Sequence, residues 1–134
     1  MAVNLSTLQF EQPSLVKTVL DCLALHQVPP EMLILEVTET TAMSNPDESV
    51  RVLTELTEAG VKASIDDFGT GYSSLLYLKR LPACELKIDR AFVKELSGES
   101  EDATIVSAIV ALAKTLNLKV VAEGVETEAQ QAFL

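Results

Sequence analysis

The sequence is poor in several residue types on which common functional sites depend. Its 134 residues include no tryptophan, one histidine (His26), two cysteines (Cys22 and Cys84), and only 10 basic side chains against 20 acidic ones. A lone histidine near a predicted helix end disfavours a nucleophilic triad. A net charge of −10 disfavours a basic nucleic-acid surface, so we expect no DNA or RNA polymer as partner. Both cysteines lie outside any C-x-x-C motif and are expected to be buried free thiols in a reducing compartment.

Long apolar runs are absent as well. No stretch approaches the roughly 20 apolar residues of a membrane-spanning helix, and residues 1–6 lack the basic and apolar regions of a secretory signal. A composition of 48% hydrophobic and 22% charged residues is typical of one globular unit. We therefore expect a cytoplasmic domain with no membrane segment in this chain, although other domains of the same protein can attach it to a membrane.

Short β-rich runs alternate with helical patterns along the chain. The strand candidates start about 30 residues apart on average, which is the length of one βαβ unit. They are Ala2–Ser6, Leu33–Glu39, Lys62–Phe68, Glu85–Phe92 and Lys119–Val125.

Apolar stripes and capping residues indicate the helices between these strands. Leu15, Val19 and Leu23 share one helix face, and a Pro-Pro pair at 29–30 stops that helix. Asn45 as N-cap, with Glu48 as capping-box acid, opens a second helix that ends before Gly60. Three more helices are predicted: from Ser73 or Ser74 to Leu81, from Ile105 to Asn117, and from the capping pair Thr127 and Gln130 to Leu134. A polar loop is predicted at Ser97–Asp102.

Five strands that are each followed by a helix predict an α/β protein with a parallel sheet. An open doubly wound sheet and part of a (β/α)8 barrel both satisfy this order. A complete barrel takes about 250 residues, roughly twice this chain. We expect a partial (β/α)8 TIM-like barrel of about five βα units, in which residues 1–134 form a single truncated domain.

Acidic side chains stand at the downstream ends of the predicted strands. Two-residue alternation places Asp66 on one face of its strand and Asp67 on the other. The carboxyl ends of parallel strands converge, and crowded carboxylates repel one another unless a cation neutralises them. Oxygen ligands of this kind favour Mg²⁺ or Mn²⁺. The residues concerned are Glu36, Asp66, Asp67, Asp89 and Glu123, with Asn4 at matching depth and Lys87 as the evident cation.

A glycine-rich loop, Phe68-Gly69-Thr70-Gly71, follows the Asp66-Asp67 pair. Its glycines permit a sharp turn, and the start of the next helix offers free N–H groups to an anion. The loop matches neither a P-loop nor a dinucleotide fingerprint. The apolar residues beyond it are expected in the core, with base stacking by exposed aromatics as the alternative: Tyr72, Leu75, Leu76, Tyr77 and Leu78.

Five motifs together resemble the EAL-domain family of bacterial cyclic-di-GMP phosphodiesterases. The long Asp-Asp-Phe-Gly motif is highly specific, and the similarity covers essentially all 134 residues. The motifs are Asn4-Leu-Ser6, Glu36-Val-Thr-Glu39, Asp66-Asp-Phe-Gly-Thr-Gly-Tyr-Ser-Ser-Leu75, Leu86-Lys-Ile-Asp89 and Ala122-Glu-Gly-Val-Glu126.

The resemblance implies a modified TIM barrel that linearises cyclic-di-GMP to pGpG with two Mg²⁺ or Mn²⁺ ions. It assigns the catalytic positions to Lys87, near the attacking water, and to Asp89 and Glu123. Glu39 matches the glutamate that anchors the loop from Phe68 to Gly71, which links dimerisation to activity in the family. The matching metal ligands are Asn4, Glu36, Asp66 and Glu123, with Asp67 for the second ion.

The family's Glu-Ala-Leu segment and final barrel strand have no counterpart in the chain. We therefore expect a fragment that is weak or inactive as an enzyme, and exposed sheet edges that favour a homodimer or larger association. The alternative is a non-catalytic module that binds cyclic-di-GMP or a protein. An enolase-type barrel also carries acids and a lysine on its strands, but the Asp-Asp-Phe-Gly loop does not fit it.

Overall fold

The computed structural model describes residues 1–96 and 99–134. Two residues of the predicted polar loop, Ser97 and Gly98, therefore lie outside the described part of the chain. Within that part, no helix combines the length and the apolar character needed to cross a membrane.

Five strands form one parallel sheet whose spatial order is the order of the chain. A doubly wound sheet reverses its strand order at a switch point, whereas a barrel adds each strand beside the previous one. The sequential order therefore confirms the partial barrel among the two predicted architectures. The strands are β1 (Ala2–Leu5), β2 (Ile34–Thr38), β3 (Lys62–Phe68), β4 (Glu85–Ile88) and β5 (Lys119–Ala122).

Seven α-helices and one 3-10 turn connect the strands in the described residues, and an eighth helix follows β5. The helices predicted from apolar stripes and capping residues correspond to the second, fourth and seventh helices and to the short fifth and eighth ones. The bounds are α1 (Thr7–Phe10), α2 (Leu15–Leu25), the 3-10 turn (Pro30–Met32), α3 (Glu39–Ser44), α4 (Pro46–Glu58), α5 (Leu75–Arg80), α6 (Arg90–Lys94), α7 (Glu101–Thr115) and α8 (Glu128–Phe133).

Three short helices, α1, α3 and α6, were not predicted, and the predicted strand before each of them ends earlier than expected. The fourth strand ends at Ile88 because the Asp89 carboxylate accepts the Ala91 N–H at 2.7 Å and caps α6. The second strand ends at Thr38, whose hydroxyl caps α3. A side-chain cap satisfies a free N–H of the first helical turn, so it turns an extended run into a helix within one residue.

The two faces of the sheet differ in what covers them. Leu35, Val37, Ile65, Leu86 and Ile88 are buried on the face that packs against the helices. On the other face of β2, Ile34, Glu36 and Thr38 are only partly buried. Strand side chains alternate between the faces, so one set forms the core while the other lines the inner side of the barrel.

Several expectations about individual residues were wrong. Tyr72, Leu75 and Leu76 are exposed, Tyr72 fully so, and of that group only Leu78 belongs to the core. Cys22 is exposed rather than buried. Asn45 occupies the N-cap position of α4 but makes no side-chain capping bond. Glu48, expected to close that capping box, pairs with Arg51 instead. These residues lie at helix ends and in loops, where periodicity does not determine which side faces solvent.

Candidate functional site

A lysine lies among three carboxylates at the carboxyl ends of the strands. The Lys87 Nζ on β4 is 3.0 Å from Glu36 Oε1 on β2 and 2.5 Å from Glu123 Oε1 just beyond β5. Its distance to Asp66 Oδ1 on β3 is 4.0 Å. The Lys87 side chain is 12% exposed, so the group is largely withdrawn from water and its charges interact strongly. Four of the predicted residues thus meet at one rim of the sheet.

A β-bulge brings Asp66 and Asp67 to the same side of the sheet. The register pairs Ile65 with Leu86 and Phe68 with Ile88, so two residues of β3 occupy the space of one on β4. Asp67 has φ 52°, in the left-handed region that aspartate tolerates better than most residues. The expectation that Asp67 points away from Asp66 was therefore wrong, because the bulge interrupts the alternation.

Carboxylate oxygens of Asp66, Asp67 and Glu123 lie within 4.8 Å of one another. Burial and the charge of Asp66 raise the pKa of Asp67, and Asp89 and Glu123 contribute further. Three half-buried carboxylates at such distances are a donor set for a divalent cation with oxygen preference, which would relieve their repulsion. The side chains therefore fit the metal that the sequence predicts.

The charge of Lys87 is stabilised in this environment. Burial lowers the pKa of the ammonium group, but its hydrogen bonds with Glu123 and Glu36 and the charge of Asp66 outweigh that effect and raise the pKa overall. Lys87 is therefore protonated at neutral pH, and the geometry favours an orienting role over a role as general base.

Glu39 holds the glycine-rich loop. It is the first residue of α3 and is 2% exposed. Its Oε2 accepts the N–H of Gly69 at 2.8 Å and of Gly71 at 3.2 Å, and its Oε1 accepts the hydroxyl of Ser73. A buried carboxylate with three donors fixes the loop that follows Asp66 and Asp67. The bond from Ser73 was missed, because the sequence favoured this serine as a helix cap.

The remaining predicted residues occupy neighbouring positions. Asn4 pairs with Glu36 in the β1–β2 register, so its side chain projects from the same face, where it is exposed. Phe68 is buried, while Thr70 is exposed and its hydroxyl donates to the Asp67 carbonyl at 2.7 Å. The Asp89 carboxylate caps α6 beside this group.

The fold and the rim define a barrel-type α/β protein with an acidic site at the carboxyl ends of its strands. The sequence matches the EAL domain over residues 1–134, and the chain belongs to the EAL-domain family. This agrees with the motifs noted in the sequence and leaves the enolase-type alternative without support.

The chain is similar to characterised members of that family. It is 66% identical over its full length to the bifunctional diguanylate cyclase/cyclic di-GMP phosphodiesterase MucR of Pseudomonas aeruginosa, of which it covers 20%. It is 48% identical over its full length to the cyclic di-GMP phosphodiesterase NbdA of the same organism, of which it covers 17%. The chain therefore spans a fifth or less of these relatives.

Solved structures give the same result. The c-di-GMP complex of the MucR phosphodiesterase superposes with a TM-score of 0.96 at 66% identity, over 98% of this chain and 59% of that one. The manganese and c-di-GMP complex of BlrP1 from Klebsiella pneumoniae superposes with a TM-score of 0.84 at 36% identity, over 98% of this chain and 34% of that one.

Proposed function

We propose that the domain containing this chain hydrolyses cyclic-di-GMP to linear pGpG with the help of divalent metal. The observation that carries the proposal is the approach of Asp66, Asp67 and Glu123 oxygens to within 4.8 Å, beside Lys87. Relatives named as cyclic di-GMP phosphodiesterases, at 66% and 48% identity, supply the substrate and the reaction.

Each rim residue has a proposed role. Asp66, Asp67 and Glu123 would hold the metal, and Glu36 and Asn4 lie on the same face of adjacent strands as further ligands. Lys87 donates hydrogen bonds and orients the attacking water. Asp89 caps α6 and adds its negative charge beside the metal ligands. Glu39 keeps the loop from Phe68 to Gly71 against the rim.

Mg²⁺ and Mn²⁺ are the proposed metals. Oxygen-only donors match both ions, and the solved BlrP1 relative was crystallised with manganese. Bound divalent ions would polarise the phosphodiester and lower the pKa of water. They would also neutralise a rim that otherwise repels a dianionic substrate, in a chain of net charge −10.

We further propose that residues 1–134 are part of a larger EAL domain. The support is the coverage of 59% of the MucR phosphodiesterase chain at a TM-score of 0.96. On this view the isolated chain lacks part of the site and is weak or inactive. A cytoplasmic location belongs to the same proposal, since Cys22 and Cys84 are free thiols.

The test is Asp66→Asn in the complete domain, with pGpG release measured by chromatography under Mn²⁺. We expect a loss of at least about a hundredfold, because a ligand carboxylate is removed while the fold is kept. Glu58→Gln on the exposed end of α4 is the matched control and should retain activity. Unchanged turnover in the Asp66 variant would contradict the assignment.

The same samples distinguish a non-catalytic module. Calorimetry with cyclic-di-GMP and Ca²⁺ measures binding independently of turnover. Binding without pGpG formation by the wild-type complete domain would replace the phosphodiesterase proposal with the binding module.

A further inference from the structure

Three threonine hydroxyls link the corner after β1 to the first turn of α3. The Oγ1 atoms of Thr7 and Thr41 are 2.7 Å apart, although the residues lie 34 positions apart in the chain. The Thr38 hydroxyl donates to Thr41 Oγ1 at 3.0 Å. This chain of hydroxyls crosses from β1 to β2 at the same end of the sheet as the carboxylates.

The direction of the hydrogen bonds follows from donor accounting. The Thr38 hydroxyl gives its proton to Thr41 and accepts the Thr41 N–H at 3.2 Å as the cap of α3. The Thr41 hydroxyl is then left to donate to Thr7. Thr41 is 3% exposed, so its hydroxyl has little access to water and depends on these two partners. A buried hydroxyl with both bonds formed fixes the distance between the segments it joins.

Each end of this hydroxyl link lies next to a segment that holds a predicted ligand at the rim of the sheet. Thr7 is the first residue of α1, and the capping box between Ser6 and Gln9 joins α1 rigidly to the end of β1, three residues beyond Asn4. Thr38 follows Glu36 by two residues on β2. Thr41 also lies two residues after Glu39, which holds the loop after Asp66 and Asp67. The first turn of α3 therefore contacts the segments that carry ligands on three strands.

The strand β1 is short, and the hydroxyl link adds a contact at its end. It has four residues and pairs only with β2 in the described sheet. Its exposed Asn4 is placed by the β1–β2 register alone unless a second contact fixes the strand end. The bond between the Thr7 and Thr41 hydroxyls is such a second contact.

We propose that Thr41 is a positioning residue for the metal site, which holds Asn4 in place relative to Glu36 through the hydroxyls of Thr7 and Thr38. The inference rests on the proposed metal-dependent function. It concerns residues outside the carboxylate cluster.

The experiment measures Mn²⁺ affinity by calorimetry in the complete EAL domain, for wild type, Thr41→Val, Thr41→Ser and Thr7→Val. We expect Thr41→Val to weaken binding about tenfold, the lower end of the range for partners that orient metal ligands, and Thr41→Ser to stay within about twofold of wild type. Thr7→Val removes the other hydroxyl at an exposed position and should weaken binding as much as Thr41→Val. The double variant Thr7→Val/Thr41→Val should bind Mn²⁺ no more weakly than either single variant, because all three variants break the same hydroxyl link.

Thr104→Val, at an exposed position on α7, is the control for the threonine-to-valine change and should bind Mn²⁺ like wild type. Unfolding midpoints are measured beside the affinities, since a merely structural role would lower the midpoint without changing the affinity of the folded protein. Wild-type affinity in folded Thr7→Val and Thr41→Val would overturn the inference. If Thr41→Val does not fold, Thr7→Val and Thr41→Ser decide it. Absence of Mn²⁺ binding by the wild type would instead overturn the proposed function.

Discussion

At the scale of single residues, the bulge at Asp66 and Asp67 has the largest consequence for the site. A regular strand would send the two carboxylates to opposite faces, but the inserted residue and the left-handed φ of Asp67 bring both to the rim. The concentration of negative charge is energetically unfavourable in the metal-free protein. This repulsion is expected where a site is preorganised for a cation.

The first prediction is that Asp67→Asn raises the unfolding temperature of the metal-free domain. The pKa of Asp67 is raised in the folded state, so its ionised form opposes folding at neutral pH. The increase in unfolding temperature caused by asparagine should reach its full size at pH values above the raised pKa that Asp67 has in the folded state. It should disappear below the unfolded value of about 3.9, where the aspartate is protonated in both states.

Calorimetric scans from pH 3 to 8 would measure this dependence. Asn tolerates left-handed φ as well, so the backbone adds no pH dependence of its own. In saturating Mn²⁺ the Asp67→Asn variant should instead unfold at a lower temperature than the wild type, because it lacks one metal ligand. A gain that is independent of pH would contradict the electrostatic explanation.

A second prediction concerns Gly69 and Gly71. Gly69 has φ +100°, and a Cβ there would lie 2.7 Å from Phe92 Cε2, so Gly69→Ala should cost about 1–3 kcal/mol. A Cβ on Gly71 would meet Thr40 Oγ1 at 3.3 Å with no unfavourable φ, so Gly71→Ala should change stability by less than about 1 kcal/mol. Urea unfolding of both variants provides the comparison, and equal costs would show that the Phe92 contact and the φ value are unimportant.

At the scale of elements, the first turn of α3 organises the rim. The helix is only six residues long, yet Glu39 at its start reaches across to the loop after β3. Its position depends on the cap supplied by Thr38, so a polar residue at a strand end determines where the loop of another strand lies.

We predict that Glu39→Gln loosens this loop. Glutamine carries no charge and replaces one of the two acceptor oxygens with an NH2 group, so it cannot accept from Gly69, Gly71 and Ser73 as the carboxylate does, which should cost about 1–3 kcal/mol. Amide exchange of Gly69 and Gly71 should become faster while that of the β2 and β3 amides is retained. Ser73→Ala removes one donor of three and should have the smaller effect. Slow exchange at both glycines in Glu39→Gln would refute the anchoring role.

Element boundaries were the least predictable local feature. The expected strand over 85–92 ends at Ile88, and the expected strand over 33–39 ends at Thr38. In both cases a capping side chain, Thr38 or Asp89, decides where the strand ends. Whether Asp89 caps a helix or extends a strand depends on the path of the backbone, which local sequence does not specify.

At the scale of the whole molecule, the sheet has two free edges in the described residues. The strands β1 and β5 each have one partner, and Val3 on β1 and Val121 on β5 are partly exposed. Parallel edges with exposed apolar side chains present unpaired N–H and C=O groups to other chains.

We therefore predict that the 134-residue chain associates through these edges. Sedimentation velocity at micromolar concentration should show dimers or larger species. Val3→Lys should shift the distribution toward monomer, because a charge on an edge strand disfavours pairing. Leu8→Lys is the matched control, since Leu8 is exposed on α1 and outside the strand. A well-folded monomer at these concentrations would disprove the prediction.

Sequence patterns alone predict the parallel α/β class, the five strands, the longer helices and the acidic residues at the strand ends. These features are predictable because hydrophobic periodicity reports which residues are buried, and glycine and capping residues mark where helices begin and end. All of these signals lie within short stretches of the chain. The tertiary structure decided the sequential strand order, the exposure of Tyr72 and Leu75, and the convergence of Asp67 with Asp66 and Glu123. Those properties depend on which strands are neighbours and on one inserted residue in β3. They arise from contacts between segments far apart in the chain, which no local pattern encodes.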